Sequence, residues 1–246
     1  MCCLPNACQA DDDAENNPEV MTNLAHRLGA SKRLCFYDVY SLTEPELLAL
    51  IPRPVYALLA TIPMTTSWRA KRNEEDQDVQ WYQGAGPEEP VLWYKQTIIH
   101  GCGLIGLLHC LCNGAPSRMI TPGSELATLI DKATPLHMKE RADLLGQTDS
   151  LYELSEAAAV KGDSHVIKDD GPMGNHYVAL VQGNDGALWE LEGSRKGPLN
   201  RGQLNDGQDA LSDQALELGI RRLVKLQQGT DDSARFSCIA LALGPE

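Results

Sequence analysis

Four side chains have the types and spacing for nucleophilic chemistry: Cys102, His176, Glu192 and Gln96. Cys102 lies in Gln96-Thr97-Ile98-Ile99-His100-Gly101-Cys102-Gly103-Leu104-Ile105-Gly106-Leu107-Leu108-His109. Apolar residues at 104, 105, 107, 108 and 111 cover most of a helical surface, the pattern of a buried helix. Cys102 falls at or just before its first turn, where the helix dipole and unbonded backbone N–H groups favour a thiolate. A thiol with a depressed pKa is nucleophilic near neutral pH. The same segment also fits a small cysteine buried in a core helix. A thiolate attacking a carbonyl creates an oxyanion, which needs donors aimed at it. The Cys102 N–H is one such donor, and the side-chain amide of Gln96, six residues upstream, is a candidate for the second.

His176 opens and Glu192 closes two β-rich runs joined by the hairpin signal Gly183-Asn184-Asp185-Gly186. Both lie equally far from a centre near Asn184. Pairing about that centre sets His176 directly opposite Glu192, with both side chains on one face. A carboxylate beside an imidazole orients the ring and favours its charged form, the third part of a nucleophile–base–orienter arrangement. Nδ1 is the ring nitrogen expected to meet it. The pattern also fits a cross-strand surface pair, and Glu190, on the same face one pair nearer the turn, is a rival carboxylate. His100 is expected to point elsewhere and His109 to be a core or edge histidine, while His26, His137 and His165 have no supporting context. Asn113 is expected to cap the C-terminal end of the cysteine helix.

The elements that must position these residues follow from local signals. A helix starts after Asn17-Pro18, carries Val20, Leu24 and Leu28 on one face, and stops at Gly29. Strands are expected over 34–40 and 55–62, with a short helix over 44–50 ended by Pro52 and Pro54. Residues 65–90 read as a long charged connection, partly helical. Helical signals run over 122–145, with Ser124 as a cap. Residues 147–175 begin as a helix and continue as a surface loop of a length usually functional or disordered. An amphipathic helix is expected over 211–226 and a closing strand over 235–243, while the first 17 residues read as a flexible arm. Helices and strands mix without strict alternation, so the expected fold class is α+β in a single domain over 1–246.

The chain has 246 residues, 43% of them hydrophobic, enough for a sizeable core. A net charge of −13 argues against nucleic acid or anionic membrane as the main partner. It suits a basic partner, or confers solubility alone. There is no apolar run of roughly 18 residues to span a membrane, and no basic-then-apolar leader. The expected location is the cytoplasm, with the nucleus also open. The eight cysteines are irregularly spaced, which favours thiols over disulfides. Cys110 and Cys112 are too close for a zinc knuckle. Neither a metal nor an organic cofactor is expected.

Several ordered segments resemble one family, the ubiquitin C-terminal hydrolases. They are Asn17-Pro18-Glu19-Val20, Phe36-Tyr37-Asp38-Val39-Tyr40, Ile51-Pro52-Arg53-Pro54-Val55, Gln96-Thr97-Ile98, Cys102-Gly103 and Ile105-Gly106-Leu107. His176-Tyr177-Val178-Ala179-Leu180-Val181, Trp189-Glu190-Leu191-Glu192-Gly193, Arg235-Phe236 and Ile239-Ala240-Leu241 complete the set. The resemblance implies a papain-like core, a central antiparallel sheet flanked by helices and a knotted backbone, a rare topology. It implies cleavage of thioester, ester, amide or peptide bonds after the terminal glycine of ubiquitin, with release of small adducts or flexible peptides. Cys102 is then the nucleophile, His176 the base and later acid, and Gln96 an oxyanion donor.

The family has an aspartate where this chain has Glu192, after a turn that is one residue longer here. Either the hairpin recedes or the glutamate bends. The resemblance also implies that residues 155–173 cross over the active site, that the basic tail of ubiquitin threads beneath, and that Leu4, Pro5, Arg235 and Phe236 contact ubiquitin. A monomer is expected. The alternatives are a weakly active ubiquitin-binding module, a hydrolase for a related ubiquitin-like modifier, and a generic peptidase.

Overall fold

A computed structural model describes residues 16–97, 101–148, 150–154, 175–227 and 236–245. Its centre is one antiparallel sheet of six strands in the order β1-β6-β2-β3-β4-β5. The strands are β1 (Leu34–Asp38), β2 (Ala57–Pro63), β3 (Asn175–Gln182), β4 (Ala187–Leu191), β5 (Leu199–Gln203) and β6 (Ser237–Leu243). Every residue of β2 is buried. Successive side chains leave opposite faces of a strand. Thus Ala57 and Leu59 join a core with helices α1 (Pro18–Leu28), α4 (Cys102–Leu111) and α6 (Glu125–Ala133). Leu58, Ala60 and Ile62 join a second core with Trp68 of α3 (Thr66–Asp76), Leu216 of α9 (Asp213–Leu218) and Leu223 of α10 (Ile220–Lys225). Both faces are covered, so β2 reads as a continuous apolar run rather than as an alternation.

Local signals explain most helix ends. The Asn17 side chain accepts from the N–H groups of Glu19 and Val20, Pro18 sits in the first turn, and Gly29 at φ 112° ends α1. The buried face of α1 is Met21, Leu24, Ala25 and Leu28; Val20 is only half-buried. Asn16 is buried and donates to the Leu59 carbonyl at 2.9 Å, so the expected arm of 17 residues is too long by at least Asn16 and Asn17. Ser124 caps α6 as expected. The remaining short helices are α2 (Pro45–Leu48), α5 (Gly114–Ser117), α7 (Met138–Gly146) and α8 over 150–154.

Two elements depart from expectation. The helix expected over 211–226 is two helices, α9 and α10, parted at Gly219 (φ −108°, ψ −100°). A Cβ there would lie 2.8 Å from Leu180 Cδ1, so the backbone at the break presses onto β3. β5 was not foreseen, because its residues Leu-Asn-Arg-Gly-Gln are those of a polar edge strand. No helix among the described residues is long and apolar enough to cross a membrane. The knotted course expected of the backbone runs partly through segments outside the described residues.

Candidate active site

Cys102 is the first residue of α4, where the spacing predicts it. The helix packs closely on the sheet: a Cβ on Gly106 would lie 2.7 Å from Leu59 Cδ1 and 3.3 Å from Tyr177 Cβ. The Cys102 thiol is half-buried among backbone donors from Gly103, Tyr177 and Cys102 itself. Burial pushes the thiol above its ordinary value, and those donors pull it down without prevailing. The expected depressed thiol is therefore corrected: in this state desolvation outweighs the helix terminus. Cys110, Cys112 and Cys238 are fully buried core thiols, the last two pushed up to about 12.

Tyr177 follows His176 in β3 and packs beneath α4. His176 must then turn to the opposite face, where its ring lies 6.0 Å from the Trp68 ring of α3. Cys102 and His176 thus approach the start of β3 from its two faces.

The turn sets how Glu192 meets the imidazole. Gly183 N–H donates to Ala187 O at 2.9 Å, Gly186 N–H donates to Gly183 O at 3.1 Å, and Gly186 has φ 77°. This is a three-residue loop with a left-handed glycine, centred on Asp185. The ladder pairs Leu180 with Glu190 and Ala179 with Leu191. Extending that register sets Glu192 opposite Val178, so direct opposition to His176 is corrected to a diagonal relation. A one-residue shift of the centre moves the partner by two, so both side chains keep the same face.

Glu192 Oε1 lies 2.9 Å from His176 Nε2, and the carboxylate is completely buried. The contact is within ion-pair range but off the axis of a good hydrogen bond. The nitrogen involved is Nε2, not the expected Nδ1. The Ser194 hydroxyl donates to the same Oε1. Oε2 lies 3.0 Å from Arg72 Nε and 3.3 Å from Arg195 Nε. Burial alone would raise the Glu192 carboxyl; His176, Arg72 and Ser194 outweigh it and hold it down at about 2. The rival Glu190 contacts Arg201 and Arg222, each at 2.8 Å, and belongs to an ion-pair cluster with Arg195 and Glu75.

Gln96 is brought to the same corner. Its N–H donates to the Gly193 carbonyl at 2.8 Å. A Cβ on Gly193 would lie 2.8 Å from Gln96 Cβ and 2.9 Å from Ile105 Cγ2. The backbone leaving Glu192 thereby touches both the Gln96 segment and the cysteine helix.

The remaining candidates separate cleanly. His109 is a core residue whose Nε2 accepts from the Tyr94 N–H at 3.0 Å, and burial lowers it to about 3. Asn113 caps the helix by donating to His109 O at 2.9 Å. His26 meets Leu34 O at 2.8 Å and His137 meets Gln83 O at 3.0 Å, both backbone contacts. Phe236 is half-buried against the Trp68 side of the sheet. Leu4, Pro5, Arg235, His100, His165 and the crossing segment 155–173 lie outside the described residues.

Sequence reasoning missed Trp68, Arg72, Gly193, Ser194 and Arg195. The available signals were faint: Trp68 and Arg72 are four apart on one helix, and Gly193-Ser194-Arg195 directly follows Glu192.

A cysteine at a helix start, a strand-borne histidine and its carboxylate, set in an α+β core, define a papain-like cysteine hydrolase layout. Within that class, the profile described as "Ubiquitin carboxyl-terminal hydrolase, family 1" matches residues 13–225. Ubiquitin carboxyl-terminal hydrolase YUH1 of Saccharomyces cerevisiae is 32% identical, with 94% of each chain covered. Ubiquitin carboxyl-terminal hydrolase isozyme L1 of Homo sapiens is 30% identical, covering 92% of this chain and 96% of the relative. The UCH37 catalytic domain of Trichinella spiralis, solved bound to ubiquitin vinyl methyl ester, shares the fold. It has a TM-score of 0.68 at 19% identity, over 94% of each chain. The chain belongs to the ubiquitin carboxyl-terminal hydrolase family.

Proposed function

We propose that this protein hydrolyses bonds after the C-terminal glycine of ubiquitin, releasing small adducts or flexible peptides. The observation that carries the reading is the buried Glu192 carboxylate 2.9 Å from His176 Nε2, one residue before the Tyr177 backbone that meets the Cys102 thiol. The thiol is held above its ordinary value by burial. When substrate seats, it gives its proton to His176, and the sulfur attacks the glycine carbonyl carbon. Gln96 and the Cys102 N–H receive the oxyanion. The carbon–nitrogen bond breaks, the amine leaves with the proton from His176, and a thioester remains. Water then loses a proton to His176 and adds to the thioester. The carbon–sulfur bond breaks, the sulfur takes back the proton from His176, and ubiquitin departs as a carboxylic acid that loses its proton to solvent. Glu192 stays ionised throughout and orients the ring. Leu4, Pro5, Arg235 and Phe236 are assigned to ubiquitin contact, and residues 155–173 to the cover over its tail.

The test is a ubiquitin probe with a C-terminal electrophile, run beside turnover of a ubiquitin fluorogenic amide. Labelling at Cys102 with turnover, both abolished by Cys102→Ser, is expected. No labelling of the wild-type protein would overturn the proposal. Labelling without turnover would favour a ubiquitin-binding module. Paired probes for a related modifier with a Gly-Gly tail decide between the two modifiers.

A further inference from the structure

We propose that Arg72 of α3 is a positioning residue for this hydrolysis, clamping Glu192 against His176 and, through Trp68, fixing the plane of the imidazole. The inference rests on the hydrolase reading. A glutamate has one more torsion than an aspartate, and a diagonal partner demands that this torsion be held. Arg72 reaches Oε2 directly and Oε1 through Ser194. Its Nε lies 3.0 Å from Oε2, and its Nη2 donates at 2.7 Å to the Ser194 hydroxyl, which in turn donates to Oε1. Arg72, Ser194 and Glu192 form a closed ring of contacts.

The second link runs through the Trp68 ring, tilted 48° to the imidazole of His176. The Arg72 guanidinium carbon lies 5.5 Å from the centre of the Trp68 ring, and that ring is 6.0 Å from the imidazole of His176. Trp68 and Arg72 are four residues apart on α3, so one helix face supplies both. Arg195 also meets Oε2, at 3.3 Å, but its fork is bound to Glu75 and Asp76 at 2.7 Å each. Arg195 thus also ties the loop after β4 to α3, while Arg72 makes the shorter contact with Glu192.

The charged groups facing Glu192 are Arg72 from α3, His176 from β3 and Arg195 from the turn after β4. Lys95 before Gln96 and His109 of α4 act at longer range. Removing Arg72 takes a cation from beside Glu192 and, through it, from the neighbourhood of His176. The activity profile should therefore move to higher pH.

The experiment compares Arg72→Ala and Arg72→Lys with the wild-type protein. It measures kcat and KM on a ubiquitin fluorogenic amide across pH, thermal melting, and the rate of Cys102 alkylation by iodoacetamide across pH, located by mass spectrometry. Arg72→Ala is expected to lower kcat about 10- to 100-fold with KM unchanged, the cost of a misplaced catalytic group. Both pH profiles should shift upward, and Arg72→Lys should restore most of the shift and part of kcat. The proposal is overturned if kcat and the alkylation profile of Arg72→Ala match the wild type. It is equally overturned if activity falls only in proportion to unfolded protein. The alkylation needs no ubiquitin. A wild-type protein inert toward the amide, whose alkylation profile still responds to Arg72, would reject the ubiquitin reading and support the clamp.

Discussion

His176 and Glu192 meet across the diagonal of their hairpin, with Nε2 and Oε1 2.9 Å apart, because the three-residue turn centres the ladder on Asp185. Directly opposed residues in an antiparallel pair are about 5 Å apart, and diagonal ones about 7–8 Å. The additional methylene of glutamate covers much of that difference. Against the aspartate and shorter turn that the family resemblance implies, a longer turn is here paired with a longer acid.

Restoring that aspartate should consequently harm the enzyme. Glu192→Asp withdraws the carboxylate from Nε2 without moving the strand. A loss of about 10-fold in kcat is expected, and Glu192→Gln, which also removes the charge, should lose about 100-fold or more. Steady-state turnover of a ubiquitin fluorogenic amide measures both, and an Asp variant as fast as wild type would refute the diagonal argument.

Gly193 couples Glu192 to Gln96, the proposed oxyanion donor. Gly193→Ala would put a Cβ 2.8 Å from Gln96 Cβ and 2.9 Å from Ile105 Cγ2. Overpacking of this kind costs about 1–3 kcal/mol. The variant should melt at a lower temperature and also lose kcat beyond the unfolded fraction, because Gln96 and Cys102 are both displaced. Calorimetry paired with turnover separates the two effects.

Acid should weaken the fold in two stages. The buried His109 is lowered from 6.5 to about 3, so the folded state holds it neutral. That contribution is full above pH 6.5 and declines as pH falls from there toward 3; by pH 5 about 2 kcal/mol is gone. Glu192 is lowered from 4.5 to about 2, so its contribution is full above pH 4.5 and is lost between 4.5 and 2, about 3 kcal/mol in all. Urea unfolding at a series of pH values should show stability falling from pH 6.5 and more steeply below 4.5. His109→Gln should flatten the upper stage, and Glu192→Gln the lower.

What the sequence determined by itself was local. The apolar spacing after Gly101 put Cys102 at the start of a buried helix, Asn17, Pro18 and Gly29 bounded α1, and strand alternation put His176 and Glu192 on one face. Each of these depends on contacts within a few residues of chain. The tertiary structure decided what depends on distant partners and on removal from water. It set the hairpin centre at Asp185, raised the Cys102 thiol by burial, and sent Glu190 to Arg201 and Arg222 rather than to His176. It also brought Arg72 to Ser194 across 122 residues of sequence. No pattern in either segment encodes that meeting, because it arises only when α3 packs beside the end of β4 that leads into Glu192.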